Sequence, residues 1–118
     1  MGEWKPVGPE TVLADGEMKE VQVDEVSILL AQVEGNYYAT QSLCPHLQTR
    51  LAIGNLDGFV LTCRAHRSQF DVRDGRNLAW IPKLPRLARR MAQAIRQPED
   101  LRTYATRVQD GQVWVEIG

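Results

Sequence analysis

The 118-residue chain contains two cysteines and two histidines, and all four fall in two short stretches. The first reads Cys44-Pro45-His46-Leu47 and the second Cys63-Arg64-Ala65-His66, with sixteen residues between His46 and Cys63. Thiolate and imidazole together are ligands for zinc, copper or iron–sulfur clusters. On extended chain, C-x-H sends its two ligands to opposite sides of the backbone, an awkward arrangement for chelating one ion. A two-metal cluster removes the difficulty, because each loop can give its cysteine to one metal and its histidine to the other. The pattern C-x-H followed by C-x2-H therefore points to a [2Fe–2S] cluster in which two histidines replace two cysteines. Its ligands would be Cys44, His46, Cys63 and His66, with one cluster per chain. Two alternatives stand beside it. A zinc ion could take the same four residues, although the usual C-x2–4-C and H-x3–5-H pairs are missing. The spacing could also be a coincidence of two buried cysteines and two surface histidines. No further constellation marks a catalytic group.

Such loops need stiff supports, and the flanking sequence reads as strands. Trp4 to Val7 forms a first short strand, held to an edge or an end by Pro6 and Pro9. Met18 to Val23 and Val26 to Val33 are β-branched or apolar runs joined by Asp24-Glu25, a tight hairpin. Glu34-Gly35 turns the chain into Asn36 to Thr40, from whose end the first ligand loop hangs. Phe59 to Thr62 leads into the second loop and Ser68 to Val72 leaves it, turned by Asp74-Gly75. Thr103 to Gln109 and Gln112 to Ile117 flank Asp110-Gly111, a strong hairpin signal. Short strands at this rhythm predict an all-β, antiparallel sandwich or barrel. One segment breaks the rhythm. Leu84, Leu87, Ala88, Met91 and Ile95 recur at helical spacing between Pro85 and Gln97, with arginines on the other face. Pro85 suits a first turn and Pro98 a stop, so an amphipathic helix is expected over about 85–97. Its apolar stripe would pack on the β body, or the helix would dock a partner.

Length fits one domain over 1–118 with its own core. Apolar content of 43% and charged content of 25% are ordinary for a soluble globular protein. The formal net charge of −1 hides an asymmetry: residues 1–62 hold three basic and nine acidic side chains, residues 63–118 eleven basic and six acidic. Uneven charge of this kind suits oriented docking with charged partners. No basic patch interleaved with aromatics argues for nucleic acid. The first residues have no apolar signal core and, with Pro6 in the Ser/Thr position, no myristoylation motif. The longest apolar-rich run, Val26 to Val33, is too short to span a bilayer. With both cysteines given to metal no disulfide is available, and a cytoplasmic location is expected.

With loops and strands placed, the chain resembles soluble Rieske-type ferredoxins. The resemblance rests on Cys44-Pro45-His46, Leu51, Gly54, Leu56, Gly58, Val60, Cys63, His66, Phe70 and Asp74-Gly75, continuing to Leu101, Tyr104, Val108, Asp110-Gly111 and Val113. The runs Cys44 to Gln48 and Leu61 to His66 are similar to the ferredoxin of four-component toluene-type monooxygenases and of aromatic-ring dioxygenase systems. It covers most of the chain outside roughly Leu78 to Gln97. The resemblance implies antiparallel sheets with a small cluster-binding subdomain (about 41–82) and, specific to this chain, a helical insert (about 83–98). It implies that Cys44 and Cys63 ligate a buried iron, and His46 and His66 an outer one. It also implies a non-enzymatic electron carrier between a flavin-dependent NAD(P)H reductase and a terminal mono- or dioxygenase, away from membranes and nucleic acid.

Several positions depart from related patterns. Respiratory relatives carry a disulfide-linked second cysteine in each loop, where this chain has Thr49 and Ala65. Their tyrosine near a ligand sulfur corresponds to Phe70, whereas Ser68 falls where their serine bonds a bridging sulfide. The family's proline-bearing third loop maps near Trp80, Ile81 and Pro82, which here run straight into the expected helix. A runner-up function is a Rieske-like small subunit of a nitrite reductase or other oxidoreductase. A zinc-bound assembly module is a third.

Overall fold

In a computed structural model, residues 2–45, 48–65, 67–79, 87 and 99–118 are described. Three antiparallel sheets organise them. The first has the order β1-β11-β10 and is built from Glu3–Pro9, Gln112–Ile117 and Thr106–Gln109. β1 lies at its edge, where the missing amides of Pro6 and Pro9 break no interior ladder. The second, β2-β3-β4-β9, comprises Met18–Val23, Val26–Val33, Asn36–Gln41 and Thr103–Tyr104. The third, β5-β6-β7-β8, is made of four three-residue strands: Asn55–Asp57, Val60–Thr62, Gln69–Asp71 and Asn77–Ala79.

The apolar run Ile28 to Ala31 in β3 has a simple cause: the strand is buried there on both faces. Ile28 and Leu30 join Val23, Tyr37, Ala39, Val113 and Val115 in a core that unites the first two sheets. Side chains alternate along a strand, so Leu29 faces the other way, into a cluster with Leu51, Leu61, Phe70, Leu101 and both cysteines. Ala31 and Val33 pack with Val72 on the same side. One strand thus carries the body's core on one face and the wall of the cysteine site on the other.

The hairpins fall where the turn residues put them. Glu34-Gly35 and Asp110-Gly111 both take positive φ at their two turn positions, and Asp24 takes φ 54° between β2 and β3. The expected single strand from Thr103 to Gln109 breaks at Ala105: β9 pairs with β4 while β10 pairs with β11. That break carries the chain from one sheet to the next. The expected helix over about 85–97 lies, apart from Leu87, outside the described residues. Leu87 has helical backbone and is largely exposed.

Two struts tie the third sheet to the rest. Arg73 grips the buried Asp71 through Nε (3.1 Å) and Nη2 (2.8 Å) and lies over the Phe59 ring at 4.0 Å. Phe59 in turn meets Tyr38 of β4 edge-on, with centroids 6.0 Å apart. The second strut is the returning chain. Leu101 N–H donates to the Gly75 carbonyl (2.7 Å), Asp100 accepts from the Asn77 amide (2.8 Å), and the Arg102 carbonyl accepts from the Gln41 amide (2.8 Å).

Candidate metal centre

Each stretch that holds the candidate ligands is a six-residue loop between paired residues, and the two loops close in the same way. The first spans 44–49 between the bridged residues Leu43 and Arg50; the second spans 63–68 between Thr62 and Gln69 of β6 and β7. In each, the cysteine N–H donates to the carbonyl five residues on, Thr49 or Ser68, at 2.8 Å in both. In each, the fifth loop residue adopts a left-handed backbone, φ 58° at Gln48 and 62° at Arg67. A non-glycine residue there costs roughly 1–2 kcal/mol of steric strain. Two residues after each closure an apolar side chain, Leu51 or Phe70, is driven fully into the core. The unequal motifs C-x-H and C-x2-H thus sit in loops of equal length, with the histidine third in one and fourth in the other.

Gly54 sets the separation of these loops. It ends the 3-10 turn Leu51–Ile53 after the first loop, its N–H bonded to the Leu51 carbonyl at 3.0 Å. A Cβ at this position would overlap the carbonyl oxygen of Thr62, the residue before Cys63. Only glycine lets the stem of the first loop approach the stem of the second so closely.

Cys44 and Cys63 are not joined by a disulfide, are fully buried and lie side chain to side chain. The hydrogen bond with Cys44, then burial, then the charge a second thiolate would carry all push the Cys63 thiol far above its ordinary range. A thiol raised in this way does not ionise unaided, and a metal cation that replaces its proton supplies the missing charge. The donor set therefore fits a thiolate-bound metal, and adjacent sulfurs suit two positions on one tetrahedral iron. His46 and His66 lie outside the described residues, so only the cysteine half of the expected ligand set is brought together here. Among the described residues no group of three or more His, Cys, Asp or Glu side chains is placed to hold a metal.

A Rieske [2Fe–2S] domain model matches residues 3–105. The chain belongs to the Rieske [2Fe–2S] family. Among curated relatives, this Rieske chain is 43% identical over 68 residues to the ferredoxin component of an alkene monooxygenase system from Xanthobacter autotrophicus, covering 56% of this chain and 55% of that protein. It therefore spans little more than half the length of that relative. Sulredoxin from Sulfurisphaera tokodaii is 32% identical over 116 residues, covering 97% of this chain and 96% of that one. Among solved structures, the complex of reduced oxygenase and oxidised ferredoxin in carbazole 1,9a-dioxygenase matches with a TM-score of 0.77 at 24% identity, over 96% of this chain and 92% of that one. The match shows that the Rieske fold is shared. The cofactor of the family is the Rieske [2Fe–2S] cluster.

The closures of the Rieske loops, with left-handed Gln48 and Arg67, were missed at the sequence level. The available signal was the repeated offset from each cysteine: a hydroxyl residue at +5 (Thr49, Ser68) and a large apolar residue at +7 (Leu51, Phe70).

Proposed function

We propose that the chain is a one-electron carrier, moving electrons from a flavin-dependent NAD(P)H reductase to a terminal oxygenase and performing no substrate chemistry of its own. The observation that carries this reading is the pair of equal loops that brings two buried cysteines together in a Rieske fold. Relatives described as ferredoxin components of alkene monooxygenase and naphthalene dioxygenase systems support it. Cys44, His46, Cys63 and His66 are the proposed ligands, with the cysteines on the inner iron and the histidines on the outer. When bound, the cluster supplies a one-electron couple. Leu29, Leu51, Leu61 and Phe70 wall the cysteines from water, and the matched backbone closures hold the loops in one geometry. A rigid, dry site rearranges little between charge states, which keeps the barrier to electron transfer low. The third sheet with its loops, about 41–82, is read as the cluster-binding subdomain of a single domain. Among the described residues no helix is long and apolar enough to cross a membrane. A reducing cytoplasm is the proposed location, where both thiols stay available to iron.

Absorption and EPR spectra before and after dithionite test the cluster, since a zinc site gives neither a visible band nor a reduced-state signal. Reconstitution tests the role: NADH, a flavin reductase and a terminal oxygenase should turn over only when the holoprotein is added. Turnover of equal rate without it would overturn the carrier reading.

A further inference from the structure

The loop closures leave one feature unexplained. Both require a left-handed residue at the fifth position, where glycine is the unstrained choice. The second loop instead places Arg67 there, with φ 62° and an exposed side chain. Arg67 lines both described clefts beside this loop. One, of about 720 Å³, also takes in Asp57 and Gln69; the other, of about 210 Å³, reaches Cys63 and is bordered by Arg64, likewise exposed. The ion pairs among the described residues engage Lys5, Arg50 and Arg73, and none engages Arg64 or Arg67. A chain with net charge −1 thus presents two unneutralised cations, among its described residues, on the loop of an iron-ligand cysteine. Loop building does not account for Arg67, because glycine would build the loop with less strain.

We infer that Arg67, with Arg64, forms a cationic rim at the electron exit and docks a carboxylate-bearing face of the terminal oxygenase. This rests on the carrier reading and names the chemistry of the partner's surface. The rim outweighs the net charge at short range, since charges beyond about 10 Å are screened at 0.1 M salt.

The test uses reduced holoprotein and two outer-sphere oxidants of opposite charge, each taking one electron: ferricyanide and hexaamminecobalt(III). At low ionic strength, Arg67→Gly should lower the ratio of the ferricyanide rate to the cobalt rate about three- to tenfold. Arg67→Glu should lower it further, Arg67→Lys should restore it, and high salt should erase the differences. Gln48→Gly, which relieves the matching strain without changing charge, should leave the ratio alone. Arg67→Gly should keep the cluster spectrum and melt no lower than wild type. With the oxygenase that serves in reconstitution, Arg67→Gly should slow transfer about two- to fivefold at low salt. An unchanged rate ratio in Arg67→Gly would overturn the rim, as would a defect confined to the reductase step. Wild-type protein that reacts with the small oxidants yet passes electrons to no oxygenase would instead overturn the carrier reading.

Discussion

The two cysteines are the residues on which the site depends most directly. Exchanging either Cys44 or Cys63 for serine replaces a soft thiolate with a hard, weakly acidic hydroxyl in a fully buried position. Either variant should lose the cluster, read as loss of bound iron and of the visible absorption band. The potential depends on their neighbours. Hydrogen bonds to sulfur stabilise the added electron. Phe70, fully buried in the cysteines' cluster, has no donor, while the equally buried Ser68 has one. The expected potential is toward the low end of the Rieske range of roughly −150 to +300 mV. Phe70→Tyr should raise it and Ser68→Ala lower it, and voltammetry on the three proteins checks the order. At this scale the pairing of Cys44 and Cys63 was legible, because the chain holds no other cysteine. The left-handed backbone at Gln48 and Arg67 was not, because neither residue type signals positive φ as glycine or asparagine does.

At the scale of elements, the long strands and the short β6 and β7 beside the second loop were legible, and β5 and β8 were not. Met18–Val23 and Val26–Val33 carry their own hydrophobic pattern and keep the boundaries read from it. Asn55–Asp57 and Asn77–Ala79 are three-residue strands rich in residues that strands disfavour. They are extended because β6 and β7 offer them ladders, which is tertiary information. The approach of the first loop's stem to β6 makes Gly54 a sensitive position. Gly54→Ala forces backbone apart from backbone and should cost at least about 2 kcal/mol, with a lowered melting temperature and poor cluster retention. The Asp71–Arg73 strut gives a pH dependence. The Arg73 hydrogen bonds hold the Asp71 carboxyl below the usual range, against the opposing effect of burial. A depressed folded-state value means that this stabilisation is present above the unfolded value of about 3.9. It is lost as pH falls through the lower folded-state value. Because Arg73 is half exposed, Asp71→Asn should cost only about 1–2 kcal/mol near neutral pH. Thermal melts should show the gap to wild type closing as the medium is acidified below about pH 4.

For the whole molecule, the organising quantity is the uneven spread of charge along a chain that is nearly neutral in sum. Nine of fifteen acidic residues lie before Cys63, and eleven of fourteen basic residues lie at or beyond it. Segment 83–97 contributes five of those bases (Lys83, Arg86, Arg89, Arg90 and Arg96) and no acid. It leaves from β8 of the third sheet, and the chain returns at Asp100 and Leu101, pinned to Asn77 and Gly75. The segment is therefore tethered at both ends to the sheet that carries the second loop. Its five bases add to the positive charge of the part of the chain that carries Arg64 and Arg67. Individual exposed pairs contribute little, about 0.2–1 kcal/mol each. Acting together they steer the encounter and raise its rate, and salt removes the advantage. Reversing Arg86, Arg89 and Arg90 to glutamate together should therefore slow electron transfer at low salt and leave the cluster spectrum intact. The gap to wild type should narrow steadily as ionic strength rises. Equal low-salt rates for variant and wild type, with both reductase and oxygenase, would confine the basic side of this segment to packing and leave recognition to the loop.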